Sequence, residues 1–167
     1  MGGKVAQLVA GRNFVKGLKG LVLIAPAPPT PFELPPDMKE QQLSAYSTPQ
    51  SAEFVVRNVL SASELSGEVV GGFVRDMMRG NEFAKKAWPA YGMGEGVVGA
   101  AKRIKVRVLV VAGEEDRVER VERLRGEVLG NIEGSEMVVL KGVGHLIPVE
   151  APGDVAKYIE EFCGRVL

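Results

Sequence analysis

Three stretches of the chain are almost wholly apolar, and each is short: 18–25 (LKGLVLIA), 106–112 (VRVLVVA) and 135–140 (SEMVVL). They are rich in β-branched and aliphatic residues and are closed by Pro, Gly or Lys-Gly, which predicts strands. The first two run apolar without alternation, as strands do when a parallel sheet is covered on both faces. Helical periodicity surrounds them. Residues 1–13 carry Val5, Ala6, Leu8 and Val9 at helical spacing behind two glycines. Residues 117–129 (RVERVERLRGEVL) set Val118, Val121, Leu124 and Val128 on one stripe, with charges of alternating sign on a face expected to be solvated. Residues 154–166 repeat the arrangement with Val155, Tyr158, Ile159 and Phe162. Helices alternating with strands predict an α/β fold of parallel strands joined by right-handed crossovers.

Residues 26–103 interrupt this alternation. They open on a proline-rich turn (Pro26, Pro28, Pro29, Pro31, Pro35, Pro36) and continue as amphipathic helices without a convincing strand. The clearest helix covers 64–79, where Val69/Val70, Phe73/Val74 and Met77/Met78 recur every four residues, although Gly71 and Gly72 each weaken it by about 1 kcal/mol. The chain therefore divides into a helix and strand (1–25), a helical insertion (26–103) and a second core portion (104–167).

Composition narrows the chemistry. Among 167 residues, 21 Lys+Arg balance 21 Asp+Glu, so electrostatics gives no reason to expect nucleic acid as a partner. With 46% hydrophobic and 25% charged residues the chain is of ordinary globular composition. The single cysteine, Cys163, excludes an internal disulfide, and with one histidine there is no zinc site of the usual His/Cys kind. No metal or organic cofactor is expected. No apolar run approaches the roughly 20 residues of a membrane-spanning helix, and the N-terminus lacks the apolar segment of a secretory signal. The expectation is a cytoplasmic protein with no membrane span.

Gly94-Glu95-Gly96-Val97-Val98-Gly99 matches the dinucleotide fingerprint G-x-G-x-x-G, with Glu114, Glu115 and Asp116 about 20 residues on. That motif needs a strand immediately before it, because the pyrophosphate meets the helix start at a strand's carboxyl end. Residues 85–91 (KKAWPAY) do not read as one, so a glycine-rich loop is expected. More useful chemistry follows the second and third strands. Gly113-Glu114-Glu115-Asp116 leaves one, and Gly142-Val143-Gly144-His145 leaves the other. In parallel α/β sheets reactive groups gather outside the carboxyl ends of strands. A carboxylate accepting the Nδ1 proton of His145 would leave Nε2 free as a general base. The same spacing also suits a histidine bonded only to backbone, with Asp116 capping a helix that starts at Arg117. Glu114 and Glu115 compete as the acid; Asp116 is preferred for its place after the Gly113 turn.

Taken together, these segments resemble the α/β-hydrolase superfamily. MGGKVAQLVA resembles the second half of a nucleophile elbow, G-x-S-x-G, with Met1 just after the nucleophile. GLVLIAPAPP resembles the family's sixth strand and the turn into its cap. VRVLVVAGEEDRV resembles the seventh strand with the triad acid, and LKGVGHLIPVEAPGDVAKYIEEF the eighth strand, histidine loop and final helix. The resemblance implies Asp116 and His145 as acid and base in the family's order of nucleophile, acid, histidine. It implies an oxyanion donor in the backbone N–H of Met1, and a helical cap in which Phe73, Met77 and Trp88, with Phe83 and Tyr91, line a pocket for a small-molecule acyl substrate.

The resemblance puts the nucleophile one position before Met1, and no Ser of the chain occupies an elbow context. The expectation is a truncated, C-terminal part of a serine esterase or lipase, of about three parallel strands and a cap, with negligible activity by itself. Its edge strand would be open to self-association. A non-catalytic paralogue that binds a ligand or partner, and an aspartate-nucleophile dehalogenase or epoxide hydrolase relative, are the alternatives.

Overall fold

The computed structural model describes residues 1–167 and builds them on a parallel three-stranded sheet. Strand β2 (Arg107–Gly113) lies between β1 (Gly20–Ile24) and β3 (Glu136–Leu140), in the order β1-β2-β3. Leu21 stands opposite Val108 across one pair, and Val111 opposite Val138 across the other. The unbroken apolar run of β2 has a direct cause. Val108, Val110 and Ala112 enter one core with Leu23, Leu124, Val128 and Ile132, while Leu109 and Val111 enter a second with Val143, Ile147 and Phe162. A strand buried on both faces gains from apolar side chains at every position.

Helix α1 (Gly2–Gly11) precedes β1, and a helical insert joins β1 to β2. The insert comprises α2 (Pro36–Ser44), α3 (Pro49–Val55) running on as a π-turn over Val56–Leu60, and α4 (Gly67–Arg79). It ends with α5 (Glu82–Ala87), a second π-turn at Trp88–Gly92, and α6 (Val98–Ala101). Three of its helices start at side-chain caps: Thr48 accepts from Ser51 N, Ser66 from Val69 N and Asn81 from Ala84 N. The helix expected from residue 64 therefore begins at Gly67. Between β2 and β3 runs α7 (Val121–Arg123), continued by a π-turn and a 3-10 turn to Asn131; α8 (Ile147–Glu150) and α9 (Pro152–Val166) close the chain.

Two helices differ from expectation in ways that bear on the site. In α1 the buried residues are Lys4, Gln7, Ala10 and Gly11, whereas Val5 and Val9 of the apolar stripe are exposed. Lys4 and Gln7 are buried because the insert offers them carbonyls. Lys4 Nζ donates to Thr30 O (3.0 Å), Met93 O (3.1 Å) and Glu95 O (2.8 Å), using all three ammonium protons. It also lies 5.7 Å from the Trp88 ring centre. Gln7 Nε2 donates to Gly3 O and Ala27 O, both at 3.0 Å. The second difference is the helix expected over 117–129, which starts only at Val121 because Asp116 holds the preceding residues in a separate turn.

The loops after β2 and β3 meet at backbone contact. A Cβ on Gly113 would fall 2.3 Å from Gly144 O and 2.4 Å from Val143 O. Glu114 N donates to Leu140 O and Glu115 N to Val143 O, each at 2.9 Å. Only a residue without a side chain admits this approach. Gly113→Ala is expected to destabilise the protein by about 1–3 kcal/mol, read from urea unfolding. Gly164→Ala, in α9 with open space around it, is expected to raise stability by up to about 1 kcal/mol. Lys4→Met should cost about 1–3 kcal/mol in the same assay, since it removes the donor from three carbonyls, that of Met93 buried.

Candidate functional site

The carboxyl ends of the three strands bring the chemistry-bearing residues to one side of the sheet. Past β1, Pro26 packs against the start of α1: a Cβ on Gly3 would lie 2.6 Å from Pro26 Cβ. Met1 is the residue before α1, and its carbonyl accepts from Lys4 N and Val5 N. Past β2 comes Asp116, and past β3 comes His145. His145 Nδ1 lies 2.8 Å from Asp116 Oδ2. Asp116 Oδ1 accepts from Val118 N at 2.7 Å and Glu119 N at 2.9 Å. The imidazole is therefore bonded to a carboxylate and not only to backbone; of the alternative arrangement the capping role of Asp116 remains, on its other oxygen and over the turn at Val118 and Glu119 in place of a helix starting at Arg117.

Burial sharpens the pair. The Asp116 side chain is fully enclosed and that of His145 is 26% exposed. A carboxylate that accepts two backbone N–H groups and one imidazole N–H can be buried ionised without an unsatisfied charge. With Nδ1 committed to Asp116, Nε2 is the ring atom without a protein hydrogen bond. With the ring proton on Nδ1, that orientation leaves Nε2 open to accept one, as a general base must. Glu114, the competing acid, accepts from Gly142 N at 3.2 Å and is exposed; Glu115 is also exposed.

The insert reaches the histidine through its main chain. Leu60 O accepts from both His145 N (2.8 Å) and Leu146 N (3.1 Å). Glu150 Oε2, on α8, accepts from Ala62 N (2.8 Å), Ser63 N (3.0 Å) and Ser63 Oγ (3.2 Å). Gly144 sits under this clamp, where a Cβ would be 2.6 Å from Ala62 N and 3.0 Å from Leu60 O. Arg117 Nη1 donates to Asn58 O. These contacts left no signature in the sequence, because all but that of the Ser63 hydroxyl use backbone atoms of residues 58–63.

Of the side chains expected to line a pocket, Trp88 lies over Lys4 beside the start of α1. Phe73 and Met77 are half-buried on α4, which packs on α3 and its π-turn. Phe83 and Tyr91 are exposed. The glycine-rich loop at 94–99 has no strand before it. It follows the π-turn at Trp88–Gly92 and is held by Val97 N to Pro29 O and by Lys4 to Glu95 O. A cavity of about 950 Å³ opens at the opposite, amino-terminal end of the sheet, among Asn13, Lys105, Arg107 and Glu136. No group of three or more His, Cys, Asp or Glu is placed to hold a metal ion, and no helix is long and apolar enough to cross a membrane.

Glu119, whose backbone N–H meets Asp116, is buried where exposure was expected. The alternating charges of 117–129 place it on a solvated face, yet it is 5% exposed. Arg123 Nη1 donates to its Oε2 at 3.0 Å. Burial, the largest cause, pushes its pKa up to about 7; Arg123, His145 and the Met1 amine pull it down, and Asp116 pushes it up. Burial likewise lowers the pKa of the Met1 amine, with Glu119 opposing and Lys4 assisting. Met1, Asp116 and His145 are therefore all within electrostatic reach of one carboxyl. The signal available in sequence was the spacing Glu119, Arg123, Glu127, a run of i,i+4 partners.

Solved structures of similar fold come from several hydrolases. A thermophilic esterase from Thermogutta terrifontis is 24% identical with a TM-score of 0.73, over 99% of this chain and 62% of its own. A hydrolase from Pseudomonas aeruginosa PA01 is 22% identical with a TM-score of 0.76, over 97% and 61%. A bromoperoxidase from Bacillus anthracis is 12% identical with a TM-score of 0.80, over 93% and 63%. The chain thus spans less than two thirds of the length of these relatives. No curated protein sequence matches it. A family model described as the Alpha/beta hydrolase family matches residues 1–158, and with the sheet, the strand-end loops and their order already in place, the chain belongs to the α/β-hydrolase family.

Proposed function

We propose that this chain carries the acid and the base of a serine-type acyl hydrolase, with a small-molecule ester or thioester as substrate. One observation carries the reading: Asp116 holds Nδ1 of the only histidine at 2.8 Å, and Nε2 is left without a protein partner. In the proposed reaction Nε2 of His145 takes the proton of an attacking hydroxyl, and Asp116 stabilises the imidazolium that forms. His145 then returns the proton to the leaving alkoxide or thiolate. Water, activated by the same nitrogen, releases the acyl group in a second half-reaction. The esterases and hydrolases of similar fold support this chemistry by analogy of architecture.

The attacking hydroxyl is proposed to occupy the position before Met1, where the family's elbow has its nucleophile, with the Met1 N–H as one donor to the oxyanion. No Ser, Thr or Cys side chain of the 167 residues hydrogen-bonds to His145. We accordingly propose that these residues by themselves hydrolyse acyl esters negligibly, since removing a triad member leaves only weak residual catalysis.

Two measurements test this. Purified chain mixed with a p-nitrophenyl acyl ester should release nitrophenol no faster than an equal concentration of imidazole. A burst of product that disappears in His145→Ala would overturn the proposal of inactivity. Reading the coding sequence in frame upstream of the Met1 codon should reveal Gly-x-Ser after an apolar strand. Gly-x-Asp there would replace the serine by an aspartate nucleophile, and a stop codon would favour a non-catalytic binding role.

A further inference from the structure

The backbone bonds between the two strand-end loops stop at Val143, short of the histidine. Beyond them the amides of His145 and Leu146 share a single acceptor, Leu60 O, at 2.8 and 3.1 Å. The main chain that carries the imidazole is therefore only as fixed as the stretch of insert that carries Leu60.

That stretch is held at both ends. At one, Arg117, the neighbour of Asp116, donates to Asn58 O. At the other the turn at 61–63 is closed on itself: Ser61 N donates to Val56 O at 3.1 Å, and the Ser61 hydroxyl, on a buried residue, donates to Ser63 O at 2.6 Å. The turn presents the N–H groups of Ala62 and Ser63 together. Glu150 Oε2 accepts from both, at 2.8 and 3.0 Å, and from the Ser63 hydroxyl at 3.2 Å. Bonds to an ionised acceptor are roughly twice as strong as neutral ones.

The other oxygen of Glu150 shows what the contact is worth. Oε1 is buried without a hydrogen-bond partner, 2.9 Å from where a Cβ on Gly144 would stand. The carboxylate is thus wedged between the insert and the residue before the histidine. An unmatched buried oxygen costs stability, which offsets what the three bonds to Oε2 contribute. The contact gives little net stability and much definition of place.

Resting on the reading of His145 as the base, we propose that Glu150 is a positioning residue of the site: its carboxylate seats residues 60–63 on the histidine loop, and Leu60 O in turn fixes the backbone from which the imidazole reaches Asp116. Glu150 hydrogen-bonds to neither His145 nor Asp116 and acts only through this run of direct contacts. Asp116 sets the direction of the ring, and Glu150 sets the ground on which the ring stands.

Hydrogen exchange and ring nitrogen NMR on the intact 167-residue protein test this. In Glu150→Ala the amides of His145 and Leu146 should exchange at least about tenfold faster, measured against the amides of Val110 and Val111 in the central strand. His145 is the only histidine, so its ring nitrogens are read without overlap. At alkaline pH, where the ring is neutral, the unsubstituted chain should carry the proton on Nδ1, and Glu150→Ala should add the form with the proton on Nε2. A merely structural loss would quicken the His145 and β2 amides alike and leave the proton on Nδ1. Either of those results in a folded Glu150→Ala overturns the proposal.

If Glu150→Ala does not fold, the unsubstituted chain decides. The amides of Ala62, Ser63, His145 and Leu146 should then open as one unit with equal protection, and separate opening of the Ala62 and Ser63 pair overturns the proposal. The two readings fail differently. A ring protonated on Nε2 in the unsubstituted chain sinks His145 as the base and this inference with it. A ring that keeps its proton on Nδ1 in folded Glu150→Ala sinks the inference alone.

Discussion

The contact between the main chain at Gly113 and the carbonyls of Val143 and Gly144 sets where every reactive group lies. Two loops leave adjacent parallel strands at their carboxyl ends and are pressed together until backbone touches backbone. Their amides and carbonyls then bond across the gap, from Glu114 to Leu140 and from Glu115 to Val143. Asp116 and His145 reach each other because the loops that bear them have no freedom to part. The two-sided burial of β2 supplies the rigidity behind this, since neither loop root can move without disturbing a core.

Several polar side chains are buried as well. Lys4, Gln7, Asp116 and Glu119 are all enclosed. Three are matched differently: Lys4 by three carbonyls, Asp116 by two amides and an imidazole, Glu119 by one guanidinium. The difference decides their behaviour. The carboxylate of Asp116 meets two amides and an imidazole, whereas at Glu119 burial outweighs Arg123 and pushes the pKa up to about 7. Lys4 serves the fold by tying α1 to two separate stretches of the insert.

The strands and their parallel pairing were legible in the sequence, because each leaves a local mark: an apolar run buried on two faces, a glycine ending a strand; the partner of the lone imidazole was left open by spacing, and Asp116 came from the resemblance. Strand limits moved by only a residue or two, to Gly20–Ile24, Arg107–Gly113 and Glu136–Leu140. What the sequence concealed was polar residues behaving as core. Periodicity turned α1 toward Val5 and Val9, but carbonyls from the insert captured Lys4 and Gln7 instead. The same blindness assigned Glu119 to solvent. Hydrophobic patterns report transfer from water and cannot register a charge whose partners arrive from distant segments.

The hold of Leu60 on the histidine loop is made by a carbonyl oxygen, and the amides of Ala62 and Ser63 meet Glu150 in the same impersonal way. A peptide group is identical whatever side chain it carries. Residues along this part of the insert can therefore be exchanged during divergence, reshaping what the molecule admits, while the path of the chain keeps the imidazole where it stands. Diversity of recognition and constancy of geometry are thereby assigned to different atoms of the same few residues.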